Sequence, residues 1–196
     1  TKADEVSNQV ICRFLTEVYP DIPIISEEHK NMEYAVRRHW KSCWLIDPLD
    51  GTKEFVKKNG EFTINIALIE KGIPVFGLIY IPISGAYYYA KKHKGAFKVS
   101  NAQEFPLSGG MRIAEDLDEL FHNHWNGAAL SIIGSRSHMN AETEKFVESL
   151  QKNHAITSFI TAGSALKFCL LAEGKADIYP RFAPTMEWDT AAGQII

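Results

Sequence analysis

The sequence lacks several features that would assign it to common protein classes. Its 196 residues contain no long uninterrupted hydrophobic run, so we expect no membrane-spanning helix. The three cysteines, Cys12, Cys43 and Cys169, form neither a Cys-x-x-Cys pair nor a cysteine–histidine zinc motif. Because they are odd in number and lie in apolar contexts, we expect reduced cysteines in a cytoplasmic protein. A position on the inner face of a membrane is the alternative.

An excess of positive charge is also absent, since the formal net charge is −3. This balance argues against binding to a nucleic-acid polymer. No signal peptide, repeat or low-complexity segment is recognisable. With 45% hydrophobic and 23% charged residues, the chain is expected to be globular with a sizeable core. It begins without Met and stops just after a helix starts, so we expect further segments beyond both ends.

What the sequence does contain is a chemically distinctive stretch at residues 44–55. Its apolar start, Trp44–Ile46, predicts a short buried strand that ends at Asp47 and Pro48, because proline has no N–H to continue a ladder. Asp50 is predicted to cap the helix that follows.

The same stretch offers ligands for a metal and a phosphate. A helix beginning near Thr52 would present unpaired N–H groups to a phosphate, and Gly51 would allow its close approach. Asp47, the Leu49 carbonyl and Asp50 supply hard oxygen ligands, which suit Mg²⁺. A metal-dependent phosphatase is therefore the working hypothesis. A turn followed by an ordinary capped helix is the alternative.

Other acids stand at similar points along the chain. Ser26-Glu27-Glu28 follows a short apolar run, and Glu27 is the better candidate to face a metal because Glu28 points the opposite way on an extended backbone. Asp189 opens a late helix, and Asp4 lies at the start of the first helix. For Asp4 and Asp189 the alternative is an ordinary N-cap.

The patterns predict an α/β (α+β) architecture. Residues 1–125 would form an N-terminal subdomain with a helix from Asp4 to Tyr19 and an antiparallel meander, and residues 126–196 a smaller α/β subdomain. Strands are predicted at residues 22–25, 44–46, 62–69, 75–81, 86–90, 96–99, 128–133, 156–160 and 176–182.

Three acidic motifs, Ser26-Glu27-Glu28, residues 47–52 and residues 188–193, together resemble the magnesium-dependent, lithium-sensitive phosphatases of the inositol monophosphatase superfamily. Residues 47–55, 60–67 and 166–182 are most similar to its 3′(2′),5′-bisphosphate nucleotidases of the CysQ type. The resemblance implies a layered α-β-α-β-α sandwich. It also implies hydrolysis of adenosine 3′,5′-bisphosphate to AMP and phosphate, with the 5′-phosphosulfate analogue as a second substrate, in sulfur assimilation and nucleotide recycling.

The resemblance further implies a role for each matching residue. Two Mg²⁺ ions, or three, would be bound by Glu27, Asp47, the Leu49 carbonyl, Asp50 and Asp189. Glu27 and Thr52 would orient the attacking water, and Asp4 would assist as proton acceptor. The nucleotide and its phosphates would contact the metal-binding residues Glu27, Leu49, Asp50 and Asp189 and, beyond them, Gly51, Thr52, His138, Gly163, Ser164, Lys167 and Arg181.

Lys167 and Arg181 bear on the choice of substrate. Their positive charges suit a phosphate that stays on the nucleotide, and arginine can bind it in a bidentate way. Inositol monophosphate has no second phosphate. The alternatives are an inositol- or sugar-phosphate phosphatase of the same superfamily and, in another class, a catalytically silent nucleotide-binding protein. A homodimer is the assembly that the superfamily implies.

Overall fold

The largest element of the computed structural model is a seven-stranded sheet. The model describes residues 1–29, 32–107, 129–135, 140–153 and 156–196. β1 pairs in parallel with β2, and every later neighbour is antiparallel, which confirms the predicted meander. The strands lie side by side in the sheet in the same order as in the chain. They are β1 (Ile24–Ser26), β2 (Ser42–Asp50), β3 (Thr63–Glu70), β4 (Ile73–Ile81), β5 (Ala86–Lys91), β6 (Gly95–Ser100) and β7 (Gln103–Pro106).

A second sheet has two parallel strands, β8 (Leu130–Ser135) and β9 (Ile156–Ala162). No helix in the described part of the chain is long and apolar enough to cross a membrane. The described helices are α1 (Lys2–Val18), α2 (Tyr34–Arg37), α3 (Thr52–Lys57), α4 (Ala141–Asn153), α5 (Leu166–Ala172) and α6 (Glu187–Ile195).

The alternation of β2 places one helix on each face of the large sheet. Trp44 and Ile46 pack in one cluster with Leu15 of α1. Leu45 lies between them in sequence, so its side chain points to the other face, where it packs in a cluster with Ala192 of α6. The large sheet is therefore the middle layer between α1 and α6.

The small sheet is covered in the same way. Leu130 and Ile132 of β8 pack against Val147 of α4, whereas Ile133 packs in a cluster with Leu170 of α5. Helix α5 also contributes Cys169 to the cluster that contains α6, so α5 and α6 share the layer between the two sheets. The result is the layered α-β-α-β-α sandwich.

The alternative role of Asp4 as an N-cap and one predicted strand were wrong. Asp4 does not cap α1, because Thr1 is the N-cap and Asp4 lies buried in the first turn. Residues 176–182 form no strand but only an isolated bridge between Ile178 and Ile132, and Pro180 has no N–H to extend it. The predicted subdomain boundary near residue 125 lies outside the described residues.

Candidate active site

A bulge at the end of β2 brings two of the predicted site residues together. Asp47 pairs with Asn65, but Asp50 pairs with Thr63, so β2 has one residue more than β3 between these pairs. Side chains three apart on a regular strand point to opposite faces, and the extra residue removes that constraint. The predicted strand end at Pro48 was therefore wrong, because β2 continues through Pro48 to Asp50.

The turn into α3 begins at Gly51. Its φ of +89° lies in the left-handed region, and it is the N-cap residue of α3. The prediction that Asp50 caps this helix was wrong. Asp50 Oδ2 instead accepts a hydrogen bond from Asn65 Nδ2 at 3.4 Å, and the backbone N–H of Ala165 also donates to the carboxylate.

Glu27 is brought to Asp47 by the pairing of β1 with β2. Parallel strands end at the same edge of a sheet, and Ser26 is level with Ile46, so the next residue on each strand is an acid. The Glu27 N–H donates to the Ile46 carbonyl at 3.2 Å, and the Glu27 and Asp47 carboxyl groups share a hydrogen bond.

Asp189 enters the site from the first turn of α6. The N-cap of this helix is Met186, so Asp189 is not the N-cap residue. Asp189 Oδ2 accepts hydrogen bonds from the Met186 N–H at 3.0 Å and from Thr185 Oγ1 at 2.6 Å. These two bonds fix the orientation of the carboxylate towards the cavity that it lines.

The four carboxyl groups interact strongly with one another. Burial, followed by the negative charges of Asp50, Glu27 and Asp189, raises the pKa of Asp47 to about 10. The pKa of Asp50 is raised to about 6 by burial and by Asp189. Partial burial and, to a smaller extent, the negative charge of Asp189 raise the pKa of Glu27. A cation among them would remove this repulsion.

These oxygen donors fit Mg²⁺ better than a transition metal. Among the described residues, no three acidic, histidine or cysteine side chains form a ready-made metal cage. Magnesium rarely uses such a cage, because it keeps several waters and binds through one or two carboxylates together with substrate phosphates. The gathered carboxylates, with no sulfur or imidazole ligand, match that mode of binding.

The polar face of α1 contacts the ends of β1 and β2. Thr52 Oγ1 donates to Asp4 Oδ1 at 3.4 Å, so Asp4 reaches the first residue of α3. Ser7 Oγ donates to the Pro48 carbonyl at 2.8 Å, one turn further along α1. The buried Asn8 accepts a hydrogen bond from Ser26 Oγ at 2.7 Å. Asp4 is thus held beside the loops that carry the acids.

Two cations, Lys167 and Arg181, line the same cavity as the acids. Lys167 is only 4% exposed, and its Nζ donates to the carbonyls of Ala162 and Ser164. The pKa of Lys167 is lowered to about 8, chiefly by burial, although the nearby carboxylate of Asp50 acts in the opposite direction. The positive charge of Arg181 contributes to this lowering.

The cavity has a volume of about 480 Å³. Asp47 and Leu49 are buried in β2, at 1% and 5% exposure, and are not among the residues that line the cavity. His138 lies outside the described residues, so its predicted contact with the nucleotide stays a prediction. Of the predicted site residues, the cavity is lined by Glu27, Asp50, Gly51, Thr52, Gly163, Ser164, Lys167, Arg181 and Asp189.

Several contacting residues were not predicted from the sequence. Asn65 is polar but 1% exposed on an alternating strand, and an inward-facing Asn in an apolar pattern was an available signal. Tyr179 shares a hydrogen bond with Arg181, and Glu61 accepts one from the Gly163 N–H. No local pattern predicts either contact, because each joins segments that are brought together only by folding.

Comparison with known proteins agrees with this geometry. The inositol monophosphatase family model matches residues 1–196. The 3′(2′),5′-bisphosphate nucleotidase CysQ of Salmonella typhimurium is 44% identical over 196 residues, which is the whole chain and 71% of the relative. The enzyme of the same name from Escherichia coli K12 is 42% identical over the same shares.

Solved structures show the same relationship. The crystal structure of CysQ from Bacteroides thetaiotaomicron superimposes with a TM-score of 0.78 at 44% identity, covering 97% of this chain and 69% of that one. An inositol monophosphatase from Anabaena, at 24% identity and a TM-score of 0.73, shares the fold. The chain therefore belongs to the inositol monophosphatase family, whose enzymes are in general magnesium-dependent phosphatases.

Proposed function

We propose that this chain is a magnesium-dependent 3′(2′),5′-bisphosphate nucleotidase that removes the 3′-phosphate of adenosine 3′,5′-bisphosphate. One observation carries the proposal: a single cavity is lined both by the acids Glu27, Asp50 and Asp189, its acidic wall, and by Lys167 and Arg181, its basic wall. The CysQ enzymes of Salmonella typhimurium and Escherichia coli, which are named for this activity, support the choice of substrate.

The basic wall fits the phosphate that remains on the product. Lysine has three N–H donors, and two carbonyls already accept from Lys167, so one donor is left for a ligand. Arg181 adds a fork of donors that suits a phosphate. Ser164 Oγ is buried and has no hydrogen-bond partner among the described residues, so it offers a further donor at the same wall.

The acidic wall would hold the phosphate that is removed. Glu27, Asp47, Asp50, Asp189 and the Leu49 carbonyl are the proposed ligands of two or three Mg²⁺ ions. When bound, the ions would neutralise the carboxylates, lower the pKa of a bound water and stabilise charge on the leaving oxygen.

Thr52 and Asp4 are placed to handle the proton of the attacking water. The Thr52 hydroxyl donates to Asp4, so its lone pairs remain free to accept a hydrogen bond from that water. A proton accepted at Thr52 Oγ1 can then pass to Asp4 Oδ1 as the Thr52 proton is transferred. Glu27 would orient the same water, and the N–H groups at Gly51 and Thr52 would hold the departing phosphate.

Phosphate release from matched substrates tests the proposal. With Mg²⁺, we expect higher kcat/KM for adenosine 3′,5′-bisphosphate than for adenosine 3′-monophosphate, which differs only by the missing 5′-phosphate, or for inositol monophosphate. Faster release from inositol or sugar phosphates would replace the substrate with that class. Nucleotide binding with no Mg²⁺-dependent release would make the chain a silent binding protein.

Variants of the basic wall test which residues recognise the retained phosphate. A charged hydrogen bond contributes about 1.5–3 kcal/mol, so Arg181→Ala and Lys167→Met should each reduce kcat/KM for the bisphosphate by about 10- to 100-fold. The loss should be much smaller for adenosine 3′-monophosphate. Lys94→Met removes an exposed lysine at a distant turn and serves as the control. Equal losses on both substrates would contradict this assignment.

The remaining predictions concern assembly and location. A homodimer, sensitivity to lithium and the 5′-phosphosulfate substrate are proposed from the family. A cytoplasmic location is also proposed, and the three free cysteines are compatible with it.

A further inference from the structure

We propose that Glu61 is a positioning residue that holds the basic wall of the cavity against its acidic wall. Glu61 is not among the cavity-lining residues, so it would act through the backbone of Gly163 rather than by touching a ligand. The role deepens the proposed function, and its kinetic test rests on that function.

The contact joins two distant parts of the chain. The Gly163 N–H donates to Glu61 Oε2 at 2.9 Å, across 102 positions in sequence. Gly163 follows β9 at the start of the segment that carries Ser164 and Lys167. Because a carboxylate acceptor strengthens such a bond, Glu61 fixes the end of β9 relative to β3.

Packing around this bond is tight enough to transmit a displacement. A Cβ atom on Gly163 would lie 2.9 Å from the Glu61 carbonyl oxygen and 2.7 Å from Glu54 Cγ. A Cβ atom on Gly51 would lie 3.2 Å from the same carbonyl and 3.1 Å from Ser164 Cβ. The backbone of Glu61 therefore fills the space between Gly51 on the acidic side and Gly163 on the basic side.

Lys167 also holds the same segment. Lys167 Nζ donates to the carbonyls of Ala162 and Ser164, the two neighbours of Gly163. Ser164 has a φ of +45°, an uncommon conformation for a residue with a side chain, which needs contacts to maintain it. Release of the Gly163 N–H would thus disturb Ser164 and Lys167 together.

A local turn aims Glu61 at Gly163. Lys58 and Gly60 both have positive φ, at 55° and 80°, so the chain reverses sharply after α3. The Glu61 N–H donates to Asn59 Oδ1 at 3.0 Å, which fixes the residue at the exit of the turn. The turn at Lys58-Asn59-Gly60-Glu61 thus places the Glu61 carboxylate next to Gly163.

Hydrogen exchange of the protein without substrate tests the contact itself. We compare wild type, Glu61→Ala, Glu61→Gln and the control Glu70→Ala, which removes an exposed carboxylate from the far end of β3. Exchange of the Gly163 amide should accelerate at least tenfold in Glu61→Ala. Glu61→Gln retains an acceptor oxygen and should restore protection to within about threefold of wild type. Unchanged exchange in Glu61→Ala would overturn the proposal.

Kinetics on the same proteins tests the positioning role. Glu61→Ala should raise KM for adenosine 3′,5′-bisphosphate about tenfold with kcat changed less than threefold, and raise KM for adenosine 3′-monophosphate less. Glu61→Gln should recover the wild-type KM. If Glu61→Ala is too unstable, Glu61→Asp retains the charge but withdraws the oxygen by one methylene, and should behave like Glu61→Ala.

The two hypotheses fail in different ways. If the wild-type protein releases phosphate from neither nucleotide, the proposed function is wrong, and hydrogen exchange alone decides the Glu61 contact. If the wild type is active and Glu61→Ala exposes Gly163 without changing KM, the contact exists but the positioning proposal is overturned.

Discussion

At the scale of single residues, burial and mutual repulsion destabilise the ionised acids of the site, and a bound cation would reduce both effects. Asp47 is 1% exposed and is surrounded by the charges of Asp50, Glu27 and Asp189. Its pKa is raised to about 10 in the folded chain, whereas the ordinary value for this carboxyl is 3.8. The folded metal-free protein therefore binds more protons than the unfolded chain between these two values.

Removal of metal should make stability fall as pH rises. Since the unfolded chain binds fewer protons, the free energy of unfolding in EDTA should decrease from pH 6 to pH 8, by up to about 1.4 kcal/mol per pH unit for one group. Asp47→Asn should remove most of this slope, leaving the smaller contributions of Glu27 and Asp50. Urea denaturation at both pH values measures it.

Asp21→Asn is the control for that experiment, because Asp21 is exposed in the turn after α1. It should retain the wild-type slope. Equal slopes in wild type and Asp47→Asn would show that Asp47 does not titrate between folded and unfolded states as the geometry requires. With Mg²⁺, Asp47→Asn should reduce kcat/KM by more than about 100-fold. Replacing a residue that only hydrogen-bonds to a metal ligand typically reduces activity by less, about 10- to 100-fold.

At the scale of elements, the junction between β2 and α3 depends on one glycine. Gly51 needs a positive φ, and a side chain there would press on Ser164 and on the Glu61 carbonyl. Gly72, in the turn between β3 and β4, has a similar φ of +78° but no atom within 4 Å of an added Cβ. A side chain at either position would strain the backbone, but only at Gly51 would it also collide with neighbouring atoms.

Gly51→Ala should consequently cost more than Gly72→Ala. We expect about 1 kcal/mol of lost stability for Gly72→Ala, from strain alone, with phosphatase activity unchanged. Gly51→Ala should lose more than 2 kcal/mol, because crowding adds to strain, and should reduce kcat/KM at least tenfold. Thermal denaturation and phosphate release measure the two effects. Similar results for both variants would contradict the tight contact at Gly51.

The sequence predicted elements better than their ends. Alternation along residues 62–69 and the apolar run at residues 75–81 identified β3 and β4, because both patterns are local properties of a strand. It could not predict that β2 passes Pro48, because the bulge depends on the register with β3. The strand predicted at residues 176–182 failed because Pro180 has no N–H to extend the bridge that Ile178 makes with β8.

At the scale of the whole molecule, the sequence predicted which acids meet but not what holds them in place. The acids carry recognisable motifs, and strand ends brought Glu27 and Asp47 to one edge. The supports, such as Asn8 on α1 and Glu61 before β3, resemble ordinary polar residues until distant segments fold against them. Their contacts span 18 and 102 positions, which no local pattern encodes.

A second long-range support lies away from the cavity. Glu173, at the end of α5, accepts hydrogen bonds from Tyr88 of β5 and Lys98 of β6, and it also pairs with Lys175. Its side chain is 10% exposed. Although burial alone would raise the pKa of Glu173, the hydrogen bonds from these three partners lower it to about 2. This network ties the layer of α5 and α6 to the large sheet.

Glu173→Gln should therefore weaken the attachment of α5 to the sheet in a pH-dependent way. At pH 7 we expect a loss of about 1–2 kcal/mol, a modest value because Lys98 and Lys175 are partly exposed. Since the folded pKa is lowered, the carboxylate stabilises the fold above the ordinary value of 4.5, and the advantage should shrink as pH falls from 4.5 towards 2.

Glu104→Gln removes an exposed carboxylate bonded to Tyr89 and should change stability by less than about 0.5 kcal/mol. Urea denaturation at pH 7 and pH 3 measures both variants, and equal losses at the two pH values would mean that the charge of Glu173 contributes nothing to this attachment.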